Sequence, residues 1–288
     1  MYSINKIMAM VDGSVYAQSV CDHTAWLAKK TNASVDLVHV LARQQSAGDD
    51  ASNLSGSIGF GARTALMEEL VELDAQKAKL SHKIGRGILD VAKIRLHEDG
   101  IEAITTRLRH GEIVETVEES DQGADLLVIG KRGISAEHNM PHLGMNLEHV
   151  VRSSKKPVLV ASRVFKPINR LLVAFDGGNS VNKAIDHLAH SPVFKDIECQ
   201  LLAVGPESSK GGQRIQQAAD QLRSAGLSVD FRTEQGQPEE VISRHVETDG
   251  FDLLVMGGYG HSHIRNLFVG STTSAMLASC KIPVLLFH

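Results

Sequence analysis

The stretch with the clearest capacity for chemistry is Gly257-Gly258-Tyr259-Gly260, followed after nine residues by Gly270-Ser271-Thr272-Thr273. Two glycine clusters bracket one loop. Glycine lets the backbone come close to a ligand and adopt positive φ. A helix opening after such a loop offers free amides and the positive end of its dipole to an anion. Ser271 and Thr272 add hydroxyl donors, so the pattern suits phosphate oxygens. Alone, a Gly-Ser pair reads more readily as a turn residue and an N-cap than as a ligand site. Here the loop directly follows the apolar run Leu253 to Met256, and both clusters are present, which favours phosphate. His261, His263 and Arg265 lie inside the loop as candidate phosphate contacts, the alternative being exposed side chains that touch nothing.

Other nucleotide motifs are weaker. No GxxxxGK[ST] occurs, which argues against a Walker-type NTPase. Gly59-Phe-Gly61-Ala-Arg-Thr64 lacks a third glycine and follows loop-like sequence rather than a strand, so it is not a dinucleotide fingerprint. Asp176-Gly-Gly-Asn-Ser180 is superficially similar to the pyrophosphatase loop of adenylating enzymes but lacks its first serine and second acidic residue. Among fourteen histidines, His138 and His142 are four apart with His149 near, but Pro141 interrupts any helix between the first two. No metal site is assigned. Lys131 and Arg132 are further candidate phosphate donors, and Cys280 reads as a small buried hydrophobe.

The elements that must position these residues emerge from an internal repeat. Met8-Ala-Met-Val-Asp12-Gly-Ser matches Leu172-Val-Ala-Phe-Asp176-Gly-Gly at an offset of 164, and Val38 to Val40 matches Leu202 to Val204 at the same offset. Ala124 to Gly130 then matches Phe251 to Gly257 at an offset of 127. The copies are therefore tandem, and the first carries 164 − 127 = 37 extra residues, placed between about 41 and 80. Residues 46–59 have loop composition, and Leu66, Leu70, Leu73, Leu80, Ile84 and Leu89 recur at helical spacing. One long helix, or two joined near Gly85-Arg-Gly87, is predicted. The domains are 1–165 and 168–288, with a short linker containing Pro167.

In the second copy, apolar runs at Arg170 to Phe175, Glu198 to Val204, Ser228 to Arg232, Leu253 to Met256 and Val284 to Phe287 alternate with amphipathic stretches. Strand–helix alternation predicts right-handed crossovers and two tandem doubly wound, mostly parallel α/β sheets. Ligands of such sheets bind beyond the strands' carboxyl ends, where strand order reverses.

Composition agrees with an ordinary globular chain of 288 residues: 42% hydrophobic, 22% charged and a net charge of −4. That charge gives no global attraction for nucleic acid or anionic lipid. No run approaches a membrane span, no signal segment is evident, and three scattered cysteines fit no disulfide or zinc framework. A cytoplasmic location is expected.

On these residues the chain resembles a tandem member of the universal stress protein family. The family's pattern is a glycine, two residues, a glycine, nine residues, then Gly-Ser or Gly-Thr, and Gly257, Gly260, Gly270 and Ser271 match it. Asp176 and Val204 correspond to the family's residues ending the first and second strands. The resemblance implies an adenine nucleotide α-hydrolase-like fold of five strands per copy, binding ATP with or without Mg2+. By that resemblance Asp176 and Val204 lie near adenine and ribose, Gly260, Gly270, Ser271 and Thr272 hold phosphates, and Met256 and Gly257 line the wall between. The first copy keeps Asp12, Val40, Gly130 and Gly133, but ten residues precede Gly144 and Met145-Asn146 replaces Ser-Thr. A degenerate first site and an intact second one follow.

Nothing in the motif supplies an obvious base for hydrolysis, so a weak ATPase is the most that is expected. The leading expectation is a nucleotide-dependent sensor or regulator acting on a protein partner. The alternative is a scaffold whose nucleotide is structural or absent. Pro157 to Ala161 and Pro283 to Phe287 are the strands through which single-domain relatives pair. Here they are expected to pair with each other as an internal pseudo-dimer, with a further homodimer left open.

Overall fold

The computed structural model describes residues 3–41, 60–120, 123–133, 145–205, 209–258 and 271–288. The first half runs β1 (Lys6–Met10), α1 (Ala17–Thr31), β2 (Ser34–Leu41), α2 (Phe60–Glu98), β3 (Ile104–His110), α3 (Ile113–Ser120), β4 (Leu126–Gly130), α4 (Met145–Ser153) and β5 (Val158–Ala161). The second repeats the order: β6 (Arg170–Ala174), α5 (Asn179–His190), β7 (Glu198–Val204), α6 (Ser209–Ser224), β8 (Val229–Glu234), α7 (Pro238–Thr248), β9 (Leu253–Gly257), α8 (Ser271–Ser279) and β10 (Val284–Phe287).

Past Lys6 and Arg170 at their starts, β1 and β6 are apolar because both faces are covered. Ile7 and Ala9 of β1 point into the core shared with α1 and α2, and Met8 and Met10 into the core on the opposite face, where α4 packs. The second half does the same with Leu171 and Val173 on one side and Leu172 on the other. Left-handed Asn32, at φ 55°, ends α1 and turns the chain into β2.

All ten strands form one sheet in the order β3-β2-β1-β4-β5-β10-β9-β6-β7-β8. Neighbours are parallel except β5 and β10, which pair antiparallel with Leu159 opposite Leu285. The expected pairing of the final strands therefore joins two five-stranded units into one continuous sheet. Strand order reverses between β1 and β4, and again between β6 and β9. Each reversal opens a crevice at the carboxyl ends of those strands.

The extra residues of the first half lengthen one helix to 39 residues, against 16 in the corresponding α6. The two-helix alternative at Gly85-Arg-Gly87 does not occur. Gly85 is a contact point rather than a break: a Cβ there would lie 2.7 Å from Leu108 and 2.9 Å from His39. Its missing side chain lets α2 lie against β2 and β3. Among the described residues no helix is long and apolar enough to cross a membrane.

Candidate functional site

Asp176 follows β6 at the second crevice, and its Oδ1 accepts a hydrogen bond from the Gly178 amide at 2.8 Å. The resulting turn, helped by Gly177 at φ 70°, delivers the chain into α5. Asp12 does the same after β1, its Oδ1 accepting from the Ser14 amide at 3.0 Å. Ser14 then donates through its hydroxyl to the Arg132 carbonyl at 3.3 Å, tying the two loops of the first crevice together.

Val204 ends β7 and Val40 is the penultimate residue of β2, both half-buried against the core on the face opposite α1 and α5. Met256, on β9, is buried in the same core as Val204. Gly257 ends β9 where a Cβ would stand 3.1 Å from Cβ of Ser180, in the first turn of α5. Gly130 occupies the same place in the first half, with Tyr16 only 2.8 Å from such a Cβ. These glycines permit close approach of helix to strand. The first crevice has a tyrosine where the second has a serine.

α8 opens at Ser271 and α4 at Met145. Thr273, buried in the first turn of α8, donates to the Gly257 carbonyl at 3.3 Å and fastens the helix start to the end of β9. Thr272 donates to Glu239 Oε1 at 3.2 Å, which brings a carboxylate from α7 to the same turn. Ser180, Glu239 and Thr273 are neighbours that the glycine spacing alone did not reveal. Thr273 could have been found from its place in the helix's first turn. Glu239 had no local signal, because α7 meets α8 only in the fold.

Gly260, His261, His263, Arg265 and Gly270 lie outside the described residues, as do Gly144, His138 and His142. Gly133 is described, and a Cβ on it would approach Asp12 Oδ2 to 2.9 Å. His149 is exposed on α4. Among the described residues, no three His, Cys, Asp or Glu side chains gather as metal ligands.

Lys131, a candidate phosphate donor at the first site, reaches across to the second half. Its Nζ donates to the Cys280 carbonyl at 2.6 Å, just past the end of α8, and burial draws its pKa down to about 8. A cation at a helix C-terminus complements the dipole. Cys280 is buried, and burial raises its thiol pKa. The equivalent histidines His23 and His187 are buried on α1 and α5; desolvation lowers both pKa values, that of His187 to about 4. Both side chains belong to the core.

A model of the universal stress protein family matches residues 3–162 and 200–288. The chain is 36% identical over 288 residues to the universal stress protein Slr1230 of Synechocystis sp., covering 99% of this chain and all of that one. It is 29% identical over 144 residues to the universal stress protein YxiE of Bacillus subtilis, covering 41% of this chain and 97% of that one. Among solved structures, a universal stress protein from Archaeoglobus fulgidus matches with a TM-score of 0.71 at 16% identity, covering 99% of this chain and 97% of that chain. That last likeness is one of fold.

Proposed function

Since the chain belongs to the universal stress protein family, we propose that it binds ATP in its second half and acts as a nucleotide-dependent sensor in the cytoplasm. The observation that carries this reading is the start of α8. Its first turn, with the Thr272 hydroxyl, is fastened beside the end of β9 at a reversal of strand order. The amides of a helix's first turn suit phosphates. Asp176, Val204, Met256 and Gly257 supply the remaining wall, and the residues between 259 and 270 complete the phosphate contacts. The first crevice, with Tyr16 against Gly130 and Met145 opening α4, is the poorer nucleotide site.

Occupancy rather than turnover is the output. Phosphoryl transfer to water needs a group holding the water in line, and Asp176 commits one carboxylate oxygen to its own turn. α8 links the two halves, with the glycine loop before its first residue and Lys131 of the first half at its far end. A ligand held at the start of α8 thereby bears on a helix whose far end contacts the first half.

Titration calorimetry of the full chain with ATP tests the assignment. Gly270→Val should weaken binding at least tenfold by obstructing backbone approach, with the fold retained, while the corresponding Gly144→Val leaves affinity unchanged. The reverse outcome would transfer the site to the first half.

A further inference from the structure

The long helix α2 carries two apolar faces. One docks on the sheet through Gly85, Leu89, Ala92 and Leu96, all buried. The other begins with Leu66, Leu70, Leu73, Leu80 and Ile84 and continues at Val91 and Ile94. Leu73, Leu80 and Ile84 are 46%, 59% and 55% exposed. Steps of four and three residues, interrupted only by Lys77 and Gly87, make a repeat of 3.5 residues. That period marks a seam that faces another helix. From Leu66 to Ile84 no residue is buried. This stretch spans about 28 Å at 1.5 Å per residue, and a lone helix of that length is marginal in water.

We propose that this seam pairs antiparallel with the same seam of a second copy of this chain. Charge selects both the occupant and the direction. Glu68, Glu69, Glu72 and Asp74 precede Lys77, Lys79, Lys83 and Arg86, so the helix is acidic and then basic. A parallel pair sets like blocks together. An antiparallel pair about a two-fold axis near residue 75 sets each acidic block against a basic one. In that register Leu66, Leu70 and Leu73 meet Ile84, Leu80 and Lys77 of the second copy, and Glu69 faces Lys83. The single lysine in the seam, within reach of Asp74 across the axis, fixes the register at some cost in stability.

Two alternatives are weaker. Residues 42–59 contain only Leu54 and Ile58 as large apolar side chains, too few to fill the seam. β5 and β10 are paired within the chain and so offer no free edge to a second copy. The insertion that distinguishes the first half is thus its dimerisation element.

Sedimentation equilibrium of the full chain across micromolar concentrations tests this. The wild type should be dimeric. Leu73→Glu combined with Leu80→Glu should be monomeric, with Trp26 fluorescence retained as evidence of folding. Glu69→Lys and Lys83→Glu should each raise the dimer dissociation constant about tenfold, two ion pairs being lost to repulsion, and the two together should restore it. A monomeric wild type, a dimer indifferent to the leucine changes, or a double charge swap no tighter than the single changes would each overturn the proposal.

Discussion

Glu239 brings a carboxylate to the start of α8. Its carboxylate meets the Thr272 hydroxyl at 3.2 Å, within the turn that the proposed function assigns to phosphate. A triphosphate bound there meets a like charge that offsets the helix dipole and amides. A divalent cation between carboxylate and phosphates reverses that sign. ATP should therefore bind more tightly with Mg2+ than in EDTA. Glu239→Gln should strengthen metal-free binding about tenfold, an effect of roughly 1–2 kcal/mol, and shrink the gain from Mg2+. Calorimetry that finds metal-free affinity unchanged in the variant would show that the carboxylate does not act on the phosphates. The glycine spacing around Gly257 and Ser271 was legible because it is local in sequence. Glu239 was not, lying 33 residues from Thr272, nor was the contact of Lys131 with the Cys280 carbonyl, 149 residues away. Local patterns reveal backbone conformation; side-chain partners brought by another helix leave no such trace.

At the level of elements, period and composition went far. β7 spans the expected Glu198 to Val204, and β10 the expected Val284 to Phe287. α2 was harder, because glycine in a helical pattern has two opposite meanings. Gly85 is buried against Leu108 and His39, whereas Gly87 would have nothing within 4 Å of an added Cβ. The two should respond to alanine with opposite signs. Gly87→Ala should stabilise by about 0.5–1 kcal/mol through the lost flexibility of the unfolded chain. Gly85→Ala gains the same propensity but forces Leu108 and His39 apart, so overpacking costing about 1–3 kcal/mol should leave it less stable. Urea midpoints of the two variants check this. Equal midpoint shifts in both would mean that α2 does not rest on the sheet at Gly85.

For the molecule as a whole, the repeat made two units legible, and the internal strand pairing followed from them. The extent to which they merge could not be read from either copy, because it depends on contacts between copies. The β5–β10 pairing makes the sheet continuous, and one core holds Leu37 and Leu126 together with Leu171 and Leu285. Trp26 on α1 also meets Phe194 of the second half edge-on, with ring centroids 6.4 Å apart. Separating the halves would expose apolar surface on both, so unfolding should be one cooperative transition. Trp26 is the single tryptophan and reports from the first half, while far-UV circular dichroism reports from both. Thermal melts followed by the two signals should coincide. If ATP binds in the second half, it should raise both midpoints together, since a ligand stabilises the whole cooperative unit that holds its site. A Trp26 transition left in place while the dichroism midpoint rises would mean that the halves melt independently, and that occupancy in one cannot be felt through the sheet in the other.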